Sequence, residues 1–185
     1  MDIGKLKDTV KKFATVWFPD DGSHVKFWFR ARDRKFTQVI TQLCEECLSG
    51  VEGVTRSSPK SVFESLTAHD WSIQDMLTLA VMLDQMPRNA LAVNFGRYVN
   101  MDPRDVSSAI NESFSIAFSG LVLEQCDFPP SIEERIVCFF SLIFRHANDF
   151  DNARKVLNFL RSSSGELPPM AAKFWVETDK REESR

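Results

Sequence analysis

Hydrophobic positions recur at helical spacing from the start of the chain. Leu6, Val10, Phe13, Ala14 and Trp17 predict an amphipathic helix over 5–18 with its lysines outward. Pro19-Asp20-Asp21-Gly22-Ser23 supplies turn residues that end it. Val25 to Phe29 is a short aromatic piece, either extended or leading into a helix. Phe36, Val39, Ile40, Leu43, Cys44 and Cys47 form a second helical stripe that stops at Gly50. A polar loop follows over 50–58, and Pro59 before Ser61–Leu66 predicts a brief helical turn. The densest apolar run is Leu77-Thr-Leu-Ala-Val-Met-Leu83, with Thr78 its single polar residue. Ser72 and Asp75 have the hydroxyl-x-x-acid spacing of a helix start, and Trp71 and Met76 flank them as a hydrophobic staple. Along that helix Ile73, Leu77, Ala80 and Asp84 fall on one line, so Asp84 is predicted to point where its apolar neighbours point. Pro87 has no N–H for the carbonyl of Leu83 and its ring clashes there, which predicts a kink or an end near Met86.

The second half repeats the pattern. Leu91 to Tyr98 reads as a helix. Asp102-Pro103 is a cap with a first-turn proline, opening a helix through Val106, Ile110, Phe114, Ala117 and Phe118 to Gly120. Ser131-Ile-Glu-Glu134 is a capping box before a strongly apolar helix that runs through Ile136, Phe139, Phe140, Leu142, Ile143 and Phe144 to His146. Ala153, Val156, Leu157 and Leu160 mark a helix over 152–160, and after Pro168-Pro169 the stretch from Met170 to Val176 is predicted to pack back through Phe174 and Trp175. No segment alternates as a half-buried strand would. The expected fold is all-α, with roughly seven to nine antiparallel helices around one aromatic-rich core. A single domain is expected over 1–176, with 177–185 a disordered polar tail.

Composition narrows the classes. The chain has 185 residues, 43% hydrophobic and 26% charged, which suits a globular domain with a real core. Sixteen Phe and four Trp against one Tyr make that core ring-rich and mostly apolar. A net charge of -3 gives no general pull toward nucleic acid. The local run Lys26, Arg30, Arg32, Arg34 and Lys35 is the exception, and such runs are usually solvated faces. No apolar run approaches the roughly 20 residues of a membrane span. The N-terminus does not lead into a secretory signal and lacks a glycine at position two for acylation. A cytoplasmic protein with no membrane partner is expected. Four cysteines (Cys44, Cys47, Cys126 and Cys138) are too few for a disulfide scaffold. Cys44-Glu-Glu-Cys47 has metal or redox spacing, but without a second ligand pair it reads better as core thiols. No metal or cofactor is expected.

Candidate chemistry gathers in Asp84-Gln85-Met86-Pro87-Arg88-Asn89, where a buried helix turns polar. Asp84 and Arg88 are four apart and meet on one helix face. In a structural reading they form a satisfied ion pair, with Gln85 and Asn89 closing carbonyls freed by Pro87. In a functional reading Arg88 anchors an anion and Asp84 orients it, on the floor of an aromatic pocket. His146 ends the other apolar helix; it is either a histidine favoured by the helix dipole or a pocket acid or base if the two helices cross. His24 and His69 lie in turn-like stretches. No phosphate loop, nucleophile elbow or His-Glu-x-x-His pattern occurs, so no catalytic residue is assigned.

Leu83-Asp84-Gln85-Met86-Pro87-Arg88-Asn89 resembles the Leu-Asp-Gln-Phe-Pro-Arg-Asn signature of the DUF924 family of TPR-like helical proteins. Trp17-Phe18 and Trp28-Phe29 resemble that family's two Trp-Phe elements, and Trp71 its tryptophan before the central helix. Phe95, Asp102, Ala109 and the stretch from Glu134-Arg135 to His146 fit its later helices, so the resemblance spans roughly residues 13 to 160. The chain departs from the family's His-Ser-Glu at His146-Ala147-Asn148, and an activity needing that hydroxyl and carboxylate is not implied for it. The resemblance implies a TPR-like array and a candidate pocket of Asp84, Gln85, Arg88, Asn89, His146, Trp28 and Trp71. TPR-like helix pairs commonly present concave surfaces to peptides. The leading expectation is therefore a noncatalytic module binding a peptide or protein partner. The alternative is an enzyme or a binder of a small anionic ligand at that pocket.

Overall fold

Asp2 opens the first helix by accepting the N–H of Lys5 on its carboxylate at 3.0 Å, and α1 then runs Ile3–Trp17. Its stripe of Leu6, Val10, Phe13 and Trp17 is buried, as the four–three spacing predicts. The computed structural model describes residues 2–20, 38–39, 42–43, 46–47, 54–92, 112–162 and 164–185, apart from the side chains at 87, 90–92 and 112. Among the described residues the remaining long elements are α2 (Pro59–Ala68), α3 (Ile73–Ala92), α4 (Glu112–Gln125), α5 (Glu134–His146), α6 (Phe150–Asn158) and α7 (Pro169–Glu183). No strand occurs among them, and no described helix is long and apolar enough to cross a membrane.

α3 and α5 form the centre. α3 packs against α1, α4 and α5, and α5 packs against α3, α4, α6 and α7. Every residue of α5 from Ile136 to Phe144 is buried, the condition that an all-round apolar helix requires. Phe139 stands edge-on to Trp17 at 6.0 Å and to Phe18 at 5.7 Å, and lies 5.9 Å from Phe174, so one ring joins the ends of α1, α5 and α7. Phe140 faces Phe144 edge-on at 5.5 Å and Phe128 at 6.1 Å. The ring-rich core expected from composition is present.

Several boundaries differ from the local reading. α3 does not end at Met86; it continues helical through Pro87 to Ala92. α4 runs beyond Gly120 to Gln125, with open space where a Cβ at Gly120 would sit. α5 starts at Glu134 with Glu133 as an N-cap whose side chain makes no capping bond and pairs instead with Arg135, so Ser131 is not its cap. Ile132 N–H is taken by the carbonyl of Pro129 in a turn instead. The carboxylate of Glu134 accepts the N–H of Ala171 at 3.1 Å, supplying from α5 the cap that Pro168 cannot give α7. Arg135 likewise reaches out, donating to the carbonyl of Pro19 at 2.7 Å. Where the composition predicted a disordered tail from Glu177, α7 remains helical to Glu183. Thr178 is buried there, and Arg154 of α6 pairs with Asp179 at 2.8 Å and with Glu182. The helix read from Leu91 to Tyr98 is described only to Ala92, and the Asp102-Pro103 cap and the Val25–Phe29 piece lie outside the described residues.

Candidate functional site

Asp84 lies on the inner line of α3 with Leu77 and Ala80, and it is 5% exposed. A carboxylate in that position requires donors, and three side chains supply them. Arg88 Nε donates to Oδ1 at 3.0 Å from one turn further along α3. Gln85 Nε2 donates to Oδ2 at 2.7 Å. His146 Nδ1, from the last residue of α5 and 62 positions away in sequence, bonds the same Oδ2 at 3.0 Å. The crossing of the two apolar helices therefore brings His146, still the last residue of α5, to the polar stretch of α3. Asn89 Nδ2 donates to the carbonyl of Gln85 at 2.7 Å, not to the carbonyl of Leu83 that Pro87 frees. Gln85 does not close a carbonyl; its amide serves Asp84.

This arrangement explains the proline. Pro87 deprives the carbonyl of Leu83 of its helical donor. The Asp84–Arg88 bond spans the next position and the Asn89–Gln85 bond the one after it, so side chains tie the helix immediately beyond the missing bond.

The electrostatics follow from burial and its answer. Burial, the largest influence on Asp84, pushes its carboxyl up; the hydrogen bonds and positive charges of His146 and Arg88 together outweigh it and hold the group below the ordinary aspartate value of 3.8. Asp84 is therefore ionised at neutral pH and accepts only, which makes His146 Nδ1 the proton-bearing nitrogen. His146 Nε2 has no hydrogen-bond partner among the described residues and is not among the buried polar atoms. The His146 side chain is 19% exposed and that of Arg88 37% exposed. One buried carboxylate thus fixes two side chains that also reach the surface. The arrangement can hold an anion, or present an oriented imidazole for proton transfer.

The end of α5 is built to stop at His146. Asn148 adopts the left-handed conformation (φ 63°), with Asp149 N–H on the carbonyl of Phe144 at 2.9 Å and Asn148 N–H on that of Arg145 at 3.1 Å. These two bonds are the Schellman closure, and Asn tolerates its left-handed position better than any residue but Gly. Asp149 then caps α6 through the N–H of Asn152 at 3.2 Å. Asn148 is thereby a backbone device. Asn148→Val is expected to lower stability by about 1–2 kcal/mol while Asn148→Gly leaves it nearly unchanged, as read in denaturant melts.

Of the other sequence candidates, Trp71 is buried just before α3, whose first residue Ile73 lies about 16 Å from Asp84 by helical rise. Trp28 and His24 lie outside the described residues, as do Cys44 and the basic run from Lys26 to Lys35. His69 is on the surface, bonded to the carbonyl of Ser65 at 2.7 Å. Cys47 is a core residue, 1% exposed, whose thiol is pushed up to about 12 by burial. No group of three metal-ligating side chains occurs among the described residues. A concavity of about 360 Å³ that the sequence did not signal lies beside Ser72, Asp75 and Ser131, at the start of α3. It forms between remote segments, so no local pattern marks it. No family model, curated protein or solved structure matches this chain.

Proposed function

We propose that the Asp84–His146–Arg88 cluster binds a small anionic molecule, with Arg88 and His146 meeting the ligand and Asp84 holding both from beneath. The observation that carries this reading is the convergence of two partly exposed, nitrogen-rich side chains from different helices on one buried carboxylate. Fixing both donors beforehand lowers the ordering entropy that an anion would otherwise have to overcome. The likeness of 83–89 to the DUF924 signature supports placing the site here, and a TPR-like arrangement would suit the helical array. A peptide- or protein-binding role, the first expectation, has no comparable cluster behind it among the described residues.

A thermal-shift panel of acetate, succinate, phosphate and sulfate tests the reading, with native mass spectrometry of the purified protein alongside. At least one anion is expected to raise the melting temperature of the wild type. An anion at about one hundred times its Kd contributes roughly 2.7 kcal/mol. The same anion should give a markedly smaller rise in Arg88→Gln. A panel with no effect, or an equal effect on both proteins, rejects the site.

A further inference from the structure

The hydrogen bond between Asp84 and His146 has a consequence for how an anion could be held. Resting on the anion-site reading above, we propose that anion uptake at this cluster is coupled to uptake of one proton on His146 Nε2, so that the site takes an oxyanion only with the imidazolium.

The first support is hydrogen-bond bookkeeping at the ring. An ionised Asp84 can only accept, so Nδ1 must donate to it whatever the charge of the ring. In the neutral ring Nε2 is then a lone pair, which repels an oxyanion. Only protonation converts Nε2 into a donor, and it does so without disturbing the bond to Asp84.

The second support is charge. Arg88 is already engaged in an ion pair with Asp84, and a neutral His146 brings no charge of its own to an anion. Protonation adds one positive charge beside a half-exposed guanidinium. His146 is the last residue of α5, where the carbonyl end of the helix favours the imidazolium and disfavours a bare anion.

Other charged groups around the ring do not replace this logic. On α3 they are Asp84 and Arg88. On α5, Arg145 turns toward α7, its guanidinium 5.8 Å from the Phe174 ring centre and near Glu177 and Arg181. At the start of α6, Asp149 spends its two oxygens on the backbone N–H and the side-chain amide of Asn152. On α4 the described acidic residue, Glu124, is exposed.

Two measurements on the full chain test the coupling. Ring nitrogen chemical shifts of His146 in the free protein, followed to the alkaline side of its titration, are expected to show a protonated Nδ1 and a bare Nε2; the opposite tautomer overturns the proposal without any ligand. Sulfate, whose own charge is constant from pH 5 to 8, is then titrated at several pH values. On the alkaline side of the histidine's titration its affinity is expected to fall about tenfold per pH unit, the slope of one linked proton. His146→Asn keeps an N–H near the Nδ1 position for Asp84 but cannot become charged, and its sulfate affinity should not vary with pH. Saturable binding to the wild type with no pH dependence overturns the coupling and leaves the anion site standing. No saturable binding at any pH overturns both.

Discussion

Asp84→Asn is expected to destabilise the protein by about 2–3 kcal/mol at neutral pH, more than any other single change in the cluster. Three donors converge on this carboxylate, and an amide offers them one oxygen and turns a nitrogen on the rest. Breaking a buried pair from one side typically costs about 3–5 kcal/mol, and the lower figure here reflects that Arg88 and His146 can each turn partly to water. The loss should depend on pH in a defined direction. The folded carboxyl titrates below its ordinary value of 3.8, so its stabilisation is complete above that pH and is lost as pH falls through the folded value. The gap between wild type and Asp84→Asn in urea melts is therefore expected to narrow as pH falls below about 4. A gap that goes on widening below that pH would contradict the ionised state assigned to Asp84.

The second large effect lies in the core. Phe140→Ala is expected to cost about 3–5 kcal/mol, because it removes a fully buried ring and leaves a cavity between α5 and its neighbours. Phe140 meets Phe144 edge-on and Phe128 at a tilt, and such ring pairs add to the loss of area. Phe159→Ala is the natural comparison. That ring stacks on Phe128 at 4.3 Å but is 42% exposed, and its removal should cost only about 1 kcal/mol. Chemical denaturation of the pair separates burial from ring contact. Because Phe140 lies six residues before His146 on one buried helix, Phe140→Ala should also loosen the Asp84–His146 bond, visible as a changed His146 ring signal.

What the sequence made legible was periodic or close in the chain. The line Ile73, Leu77, Ala80, Asp84 placed the carboxylate inward, and the four-residue spacing paired it with Arg88; both are properties of a single helix. The meeting with His146 could be posed but not resolved, since it depends on how α3 and α5 cross, which no local pattern encodes. Pro87 misled for a related reason. Its intrinsic cost is real, but the Asp84–Arg88 and Asn89–Gln85 bonds hold the turn around it. Ser131 and Glu134 have the spacing of a capping box, yet Glu134 is claimed by the N–H of Ala171 from 37 residues away. Trp71 enters the candidate pocket by resemblance alone, and it precedes Ile73, the residue at which α3 begins.

The ion pairs of Arg154 bear on where the chain can be shortened. Its polar composition invites a cut after Val176, at the point where apolar residues give out. Such a cut would remove Asp179 and Glu182, leaving a side chain only 21% exposed with Asp151 at 3.6 Å as its remaining acid, and would open the seat of buried Thr178. It would also halve a helix whose first turn is held by Glu134 of α5, next to the hydrophobic layer under Phe139. The sensible terminus for a trimmed protein is therefore beyond Glu183, and residues that look dispensable by hydropathy belong to the folded unit.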